Sequence, residues 1–278
     1  MEAKRKIANN VVFVVLFILS VAFLAPIFIV LMNSFKGRFF ISEAPFALPN
    51  SQTFVGLKNY TIGLAKTGFL QAFGYSLFIT VGSVAVIVLF TSMTAWYITR
   101  VKSRYTSIIY YLLVFSMIVP FQMVMYTMAK MANVLKLDSP AGLLVIYLGF
   151  GAGLSTFMFS GFIKGIPLEI EEAATIDGCN PIQTFFLVVF PILKPVAITV
   201  AILNAMWIWN DYLLPLLVIG NKYKTIPIAI QYLQGGYGSR DMGAMMAMLI
   251  LAIVPVVVFY MACQKYIVKG VVAGAVKG

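Results

Sequence analysis

Val11-Val12-Phe13-Val14-Val15-Leu16-Phe17-Ile18-Leu19-Ser20-Val21-Ala22-Phe23-Leu24-Ala25-Pro26-Ile27-Phe28-Ile29-Val30-Leu31-Met32 is an apolar run without a single charged side chain. At about 1.5 Å per helical residue it reaches across a hydrocarbon layer about 30 Å thick. Lys4-Arg5-Lys6 precedes it and Ser20-Val21-Ala22 has the small residues of a leader cleavage site, so a signal peptide is the competing reading. The run continues through Pro26 to Met32, too long for a leader's apolar core, and is read as a retained span.

Working outward, further apolar windows fall at 74–98, 107–129, 141–163, 196–220 and 243–263, giving an all-α integral membrane protein with six transmembrane helices. Composition agrees: 62% of the 278 residues are hydrophobic and 10% charged, against about 25% charged in an average soluble domain. The formal charge of +11 comes from 20 Lys+Arg against 9 Asp+Glu. These bases are scattered through the loops, where they anchor helices at anionic headgroups, so the expected surface partner is membrane lipid and not nucleic acid. The chain has no histidine, which excludes His-based zinc sites, Ser-His-Asp triads and imidazole proton relays. Two cysteines, Cys179 and Cys263, make neither a disulfide framework nor a CxxC pair.

Six spans return both termini to one side. Lys4-Arg5-Lys6, Arg100-Lys102-Arg104 and Lys265-Lys269 abut span ends there, which makes that side cytoplasmic. The bias is shallow, because Lys36, Arg38, Lys58 and Lys66 lie on the other side. The expected divisions are an N-terminal span with its extracytoplasmic segment (1–70), a transmembrane core (71–263) and a cytoplasmic tail (264–278).

The inside loop 164–195 has a character of its own. It holds Glu169, Glu171, Glu172 and Asp177, and its punctuation describes a short helix. Pro167 suits a first helical position, the glutamates sit at the positive N-terminal end, and Gly178 suits a left-handed C-cap. Asn180 and Pro181 then start a second helix, and Phe190-Pro191 with Pro195 are expected to break the chain before the fifth span. Ile170, Ala173, Ala174 and Asp177 share a narrow face on which a partner protein could dock. An ordinary amphipathic helix resting at the headgroups is the alternative, although such helices carry basic polar faces and this one is acidic.

Glu172-Ala173-Ala174-Thr175-Ile176-Asp177-Gly178, followed nine residues later by Val188-Val189-Phe190-Pro191, resembles the EAA loop of ATP-binding-cassette (ABC) importer permeases. Val188 and Phe190 stand where that pattern has Ile and Leu, with the spacing intact. Trp209-Asn210-Asp211-Tyr212-Leu213-Leu214-Pro215 and the ending Gly274-Ala275-Val276-Lys277-Gly278 resemble the carbohydrate-importer subset, within it the MalG-type subunit.

The resemblance implies the ABC type I importer permease (MetI-like) fold and import of a mono- or oligosaccharide. The implied partners are a homologous MalF-type permease, two cytoplasmic ATPase subunits and an extracytoplasmic sugar-binding protein, in the cytoplasmic membrane of a bacterium. It also implies that Glu172, Ala173, Ala174, Asp177, Gly178 and Pro191 couple the spans to the ATPase, with a weaker expectation that the C-terminal tail reaches it too. No phosphate-binding Gly-rich loop with Lys occurs in the chain, so no cofactor is expected on it and ATP is expected to be used by the partners. No catalytic residue is expected.

For a substrate pathway, Asn204, Trp207 and Asp211 recur on one face of the fifth span beside Asn210, and Gln122 follows Pro120 in the third. Polar groups at membrane depth face a bundle interior or a wet cavity, and aromatic planes with amide or carboxylate acceptors suit a sugar. The alternatives are that these groups hold helices together or belong to the outer aromatic belt. Two further functions stay open: an ABC permease for a non-sugar solute, and an ion-gradient-driven secondary transporter.

Overall fold

A computed structural model describes residues 2–234 and 241–275, with side chains over 9–233 and 241–265. Gly235-Gly236-Tyr237-Gly238, whose composition predicts an external turn, lies outside the described residues, as do Val276-Lys277-Gly278 and the side chains of the rest of the expected tail beyond Lys265. Among the described residues the chain is helical, and its one β contact is the isolated bridge between Lys36 and Phe54.

Among the described residues four helices are long and apolar enough to cross a membrane: Asn9–Ser34 within α1 (Glu2–Ser34), all of α4 (Phe69–Arg100) and α7 (Pro140–Ile163), and Met242–Lys265 within α14 (Met242–Ala275). Two bent pairs raise the number to six if each counts as one span. The expected third span is not one straight helix. α5 (Arg104–Ser116) and α6 (Phe121–Val134) meet at 109°, because Pro120 has no N–H for the helix ladder and stands in extended conformation as the N-cap of α6.

The expected fifth span is also displaced. α11 (Lys194–Asn210) ends at Asp211, whose extended backbone separates it from the short α12 (Leu213–Val218), which α13 (Ile226–Gln231) follows. On its other side α11 meets the helical stretch Pro181–Ile192 at 77°. That stretch consists of α9 (Pro181–Gln183), a π-helical segment Thr184–Val189 and α10 (Phe190–Ile192), so Phe190-Pro191 does not break the chain. In a regular helix the Pro191 ring would clash with the carbonyl four residues back, and the wider π turns lie immediately before it. The break comes at Leu193, with Pro195 in the first turn of α11.

The chain forms two compact units, Met1–Leu70 with Ala229–Pro255, and Gln71–Ile228 with Val256–Gly278. In the first, α2 (Arg38–Glu43) and α3 (Lys58–Thr67) follow α1. Asn59 Nδ2 donates to the carbonyls of Ser34 at 2.8 Å and Lys36 at 2.7 Å, which joins α3 to the end of α1. In the second, Ile87, Leu143, Tyr147, Phe159, Ile163, Phe185, Val189 and Val200 belong to one buried cluster. Gly153 of α7 lets α5 approach, since a Cβ there would stand 2.6 Å from the Leu113 carbonyl oxygen.

Candidate functional site

The loop between α7 and α11 carries the most defined polar architecture of the second unit. α8 (Glu169–Ile176) begins two residues later than Pro167 alone suggests, with Leu168 at its N-cap and Glu169, Glu171 and Glu172 in its first turn. Carboxylates there sit against the exposed N–H groups and the positive end of the helix dipole. At the other end Asp177 is the C-cap and Gly178 has φ +88°. The Cys179 N–H donates to the Ala174 carbonyl at 2.9 Å and the Gly178 N–H to the Thr175 carbonyl at 3.0 Å, the paired bonds of a Schellman turn. Asn180 then caps the next helix, accepting from the Gln183 N–H while the Gln183 side chain accepts from the Asn180 N–H, both at 2.9 Å.

The two faces of α8 are not those that the small residues alone suggest. Ala174 is buried, and α8 packs on the π segment. Glu169, Ile170, Glu172, Ala173 and Asp177 are exposed, and Ile176 is 86% exposed. An outward surface of carboxylates around isoleucine and alanine side chains is therefore available to a partner.

Glu171, beside Glu172 in sequence, points the opposite way and is 7% exposed. Its Oε1 accepts from Arg100 Nε at 2.8 Å and lies 2.7 Å from Arg100 Nη2, while its Oε2 accepts from Trp96 Nε1 at 2.9 Å. Sequence reasoning missed this cluster; the available signal was a base closing the second span with an acid left over on a short helix.

The groups expected along a pathway divide by contact. Asn204 is buried, and its Nδ2 donates to Ser155 Oγ at 3.1 Å and to the Val200 carbonyl at 2.8 Å, joining α11 to α7. Asp211 Oδ2 accepts from the Tyr147 hydroxyl at 3.0 Å, while Oδ1 accepts from the N–H groups of Leu213 at 3.1 Å and Leu214 at 3.4 Å, capping α12. Trp207 lies edge-on to Tyr147 with ring centroids 5.4 Å apart. Asn204, Trp207 and Asp211 thus share a face, and that face lies on α7. Asn210 is exposed and bonds back to the Met206 carbonyl at 2.7 Å, and Gln122 is exposed in the first turn of α6. Pro191 is exposed on α10 and is not part of the α8 surface.

Four long apolar helices and two bent pairs, with a short acidic helix held at the end of one of them, define a multi-pass membrane protein. Residues 87–273 match the family described as binding-protein-dependent transport system inner membrane component. The chain is 40% identical over 262 residues, 94% of each chain, to the probable starch degradation products transport system permease protein AmyC of Thermoanaerobacterium thermosulfurigenes. It is 36% identical over 282 residues, the full length of both, to the multiple sugar-binding transport system permease protein MsmG of Streptococcus mutans. Its fold resembles that of a chain in the crystal structure of a bacterial ABC transporter involved in the import of the acidic polysaccharide alginate, with a TM-score of 0.79 at 23% identity, covering 94% of this chain and 96% of that one. The chain belongs to the binding-protein-dependent transport system inner membrane component family.

Proposed function

We propose that this chain is the permease subunit of an ABC importer that carries a mono- or oligosaccharide into a bacterial cytoplasm, with α8 docking on an ATPase subunit. The observation that carries the reading is the outward surface of α8, where Glu172, Ala173, Ile176 and Asp177 are exposed at a helix closed at its C-terminus by the Gly178 turn. In a chain of this family such a surface suits a cleft in a nucleotide-hydrolysing partner. Closure of the partner on ATP then favours one arrangement of the spans over the other, as coupling between two sites requires. The sugar assignment is supported by relatives named for starch degradation products, for multiple sugars and, at 29% identity, for melibiose, raffinose and stachyose.

The remaining subunits are a homologous permease, a second ATPase and an extracytoplasmic sugar-binding protein. Both termini and the α8 loop face the cytoplasm. Trp207, Asn210 and Gln122 are the expected pathway groups that are exposed and can meet a sugar, while Asn204 and Asp211 hold α11 to α7.

The test is expression with the genomic neighbours, scoring recovery of an ATPase and ATP-driven uptake of labelled maltotriose and raffinose, for the native chain and for Gly178→Asp. The native chain brings down an ATPase and accumulates one of the sugars; the variant inserts in the membrane and loses uptake. Recovery without an ATPase, with uptake following an ion gradient, overturns the reading in favour of a secondary transporter. An ATPase together with uptake of an amino acid and of neither sugar leaves an importer for a different solute.

A further inference from the structure

The charge cluster around the buried Glu171 is not explained by docking, because it faces away from the docking surface. Trp96 and Arg100 stand one turn apart at the cytoplasmic end of α4, and Glu171 stands in the first turn of α8. Arg100 does more than neutralise Glu171: its Nη2 also donates to the Ile166 carbonyl at 3.0 Å, in the turn that leads from α7 into α8. The Trp96 ring packs on Phe185 of the π segment with centroids 5.5 Å apart. One cluster therefore joins the end of α4, the α7–α8 turn, α8 itself and the π segment, all within one compact unit.

Covalently, α8 is attached only to α7 and, through the π segment, to α11. α8 also packs on that segment, with Ala174 buried, but apolar packing is non-directional and leaves rotation and sliding of α8 weakly opposed. Charge-assisted bonds to a planar guanidinium fix direction as well as distance, and here they reach a third span. Burial sharpens the effect. A carboxylate removed from water is tolerated only where its oxygens are satisfied, so any movement of α8 away from α4 strands a charge.

We infer that Glu171, Arg100 and Trp96 are positioning residues that lock α8 to the end of α4, so that a displacement of α8 by the ATPase moves the α4 span as one body with it. The inference rests on the proposed docking of α8 and adds a second route of coupling, through α4, to the covalent one through α7 and α11.

The experiment uses the assembled complex with spin labels at Tyr97→Cys on α4 and at native Cys179 behind α8, with Cys263→Ser to remove the other thiol. Tyr97 is exposed and lies outside the cluster. The distance between labels is measured without nucleotide and after incubation with ATP and vanadate, which leaves ADP and vanadate trapped in the ATPase. A single narrow distance, the same in both states, is expected for the native cluster; Glu171→Gln broadens or shifts it and lowers sugar carried per ATP hydrolysed about threefold to tenfold. Arg100→Glu combined with Glu171→Arg recovers at least about half of that ratio. Trp96→Phe, which keeps the ring against Phe185 and removes one donor, gives a smaller loss of about twofold and serves if Glu171→Gln does not accumulate.

A native distance that changes between the two states overturns the inference, as does a Glu171→Gln complex whose distance and transport ratio match the native ones. Parallel loss of uptake and hydrolysis without recovery in the reversed pair also overturns it, leaving the cluster a folding contact. Failure of the native chain to recover any ATPase is a separate result: it removes the docking reading itself, and this inference with it.

Discussion

Gly178 is held by backbone geometry alone. At φ +88° any Cβ is strained, yet a Cβ there would meet nothing within 4 Å, so the cost of Gly178→Ala is conformational, about 1 kcal/mol. That shift lowers the population of the closed Schellman turn about fivefold. Amide exchange over the peptide containing Cys179 should accelerate by that factor, and unchanged protection would show that the turn tolerates a side chain. In the first unit, burial pushes the Asp241 carboxyl up, but the hydrogen bonds from Lys66 and the Ala244 N–H and the charges of Lys66 and Arg38 outweigh it, leaving the carboxyl below its ordinary value. A depressed carboxylate stabilises the folded state above its ordinary titration range and loses that contribution as pH falls through its folded value. The Lys66 side chain is 55% exposed, so the pair contributes no more than about 1 kcal/mol. Lys66→Gln should shrink the loss of thermal stability between about pH 5 and pH 3; an unchanged acid limb would remove the pair from that account. Neighbouring glutamates show where residue-level reading stops. Glu171 and Glu172 are alike by composition, and the one that turns inward does so for Arg100, 71 positions away in sequence.

At the scale of elements, α1, α4, α7 and α14 are legible because uninterrupted apolar length suffices to place them. The third and fifth spans are less so, because hydropathy is blind to a missing N–H at Pro120 and to a side chain that caps a new helix from within an apolar window. Asp211 does the second: it ends α11, starts α12 and ties both to Tyr147 of α7. Its two roles are separable by substitution. Asp211→Asn keeps an acceptor for the Leu213 N–H, while Asp211→Ala loses the cap, at about 1 kcal/mol, and also leaves the Tyr147 hydroxyl without its acceptor, at about 1–3 kcal/mol more. Thermal unfolding in detergent should therefore rank native, Asp211→Asn and Asp211→Ala in falling order. An Ala variant as stable as the native protein but unable to transport would place Asp211 in the sugar path and not in the scaffold. The π segment belongs to the same class of feature, since Pro191 warns of a break and the wider turns before it let the helix continue as far as Leu193.

For the whole molecule, the spans imply a sidedness that can be checked without knowing the solute. If each bent pair is one crossing, the described residues make six crossings, and an even number places both ends of the described chain and the α8 loop on the same face. The proposed cytoplasmic side holds Cys179, which is partly exposed behind Gly178, and the opposite side holds Gln52, exposed in the segment between α2 and α3. In a Cys263→Ser background, a membrane-impermeant maleimide should label Cys179 only in inverted vesicles. With Cys179 also replaced by Ser, Gln52→Cys should be labelled in intact cells. If the α5–α6 pair dips into the membrane and returns to the side it left, the number of crossings becomes odd, and Gln52→Cys and Cys179 react from the same side. That outcome would put the α8 surface where no cytoplasmic ATPase can reach it. Opposite labelling leaves α8 on the only side that holds ATP, and turns the 109° bend at Pro120 into a shape within one crossing, with Gln122 set in the first turn beyond it.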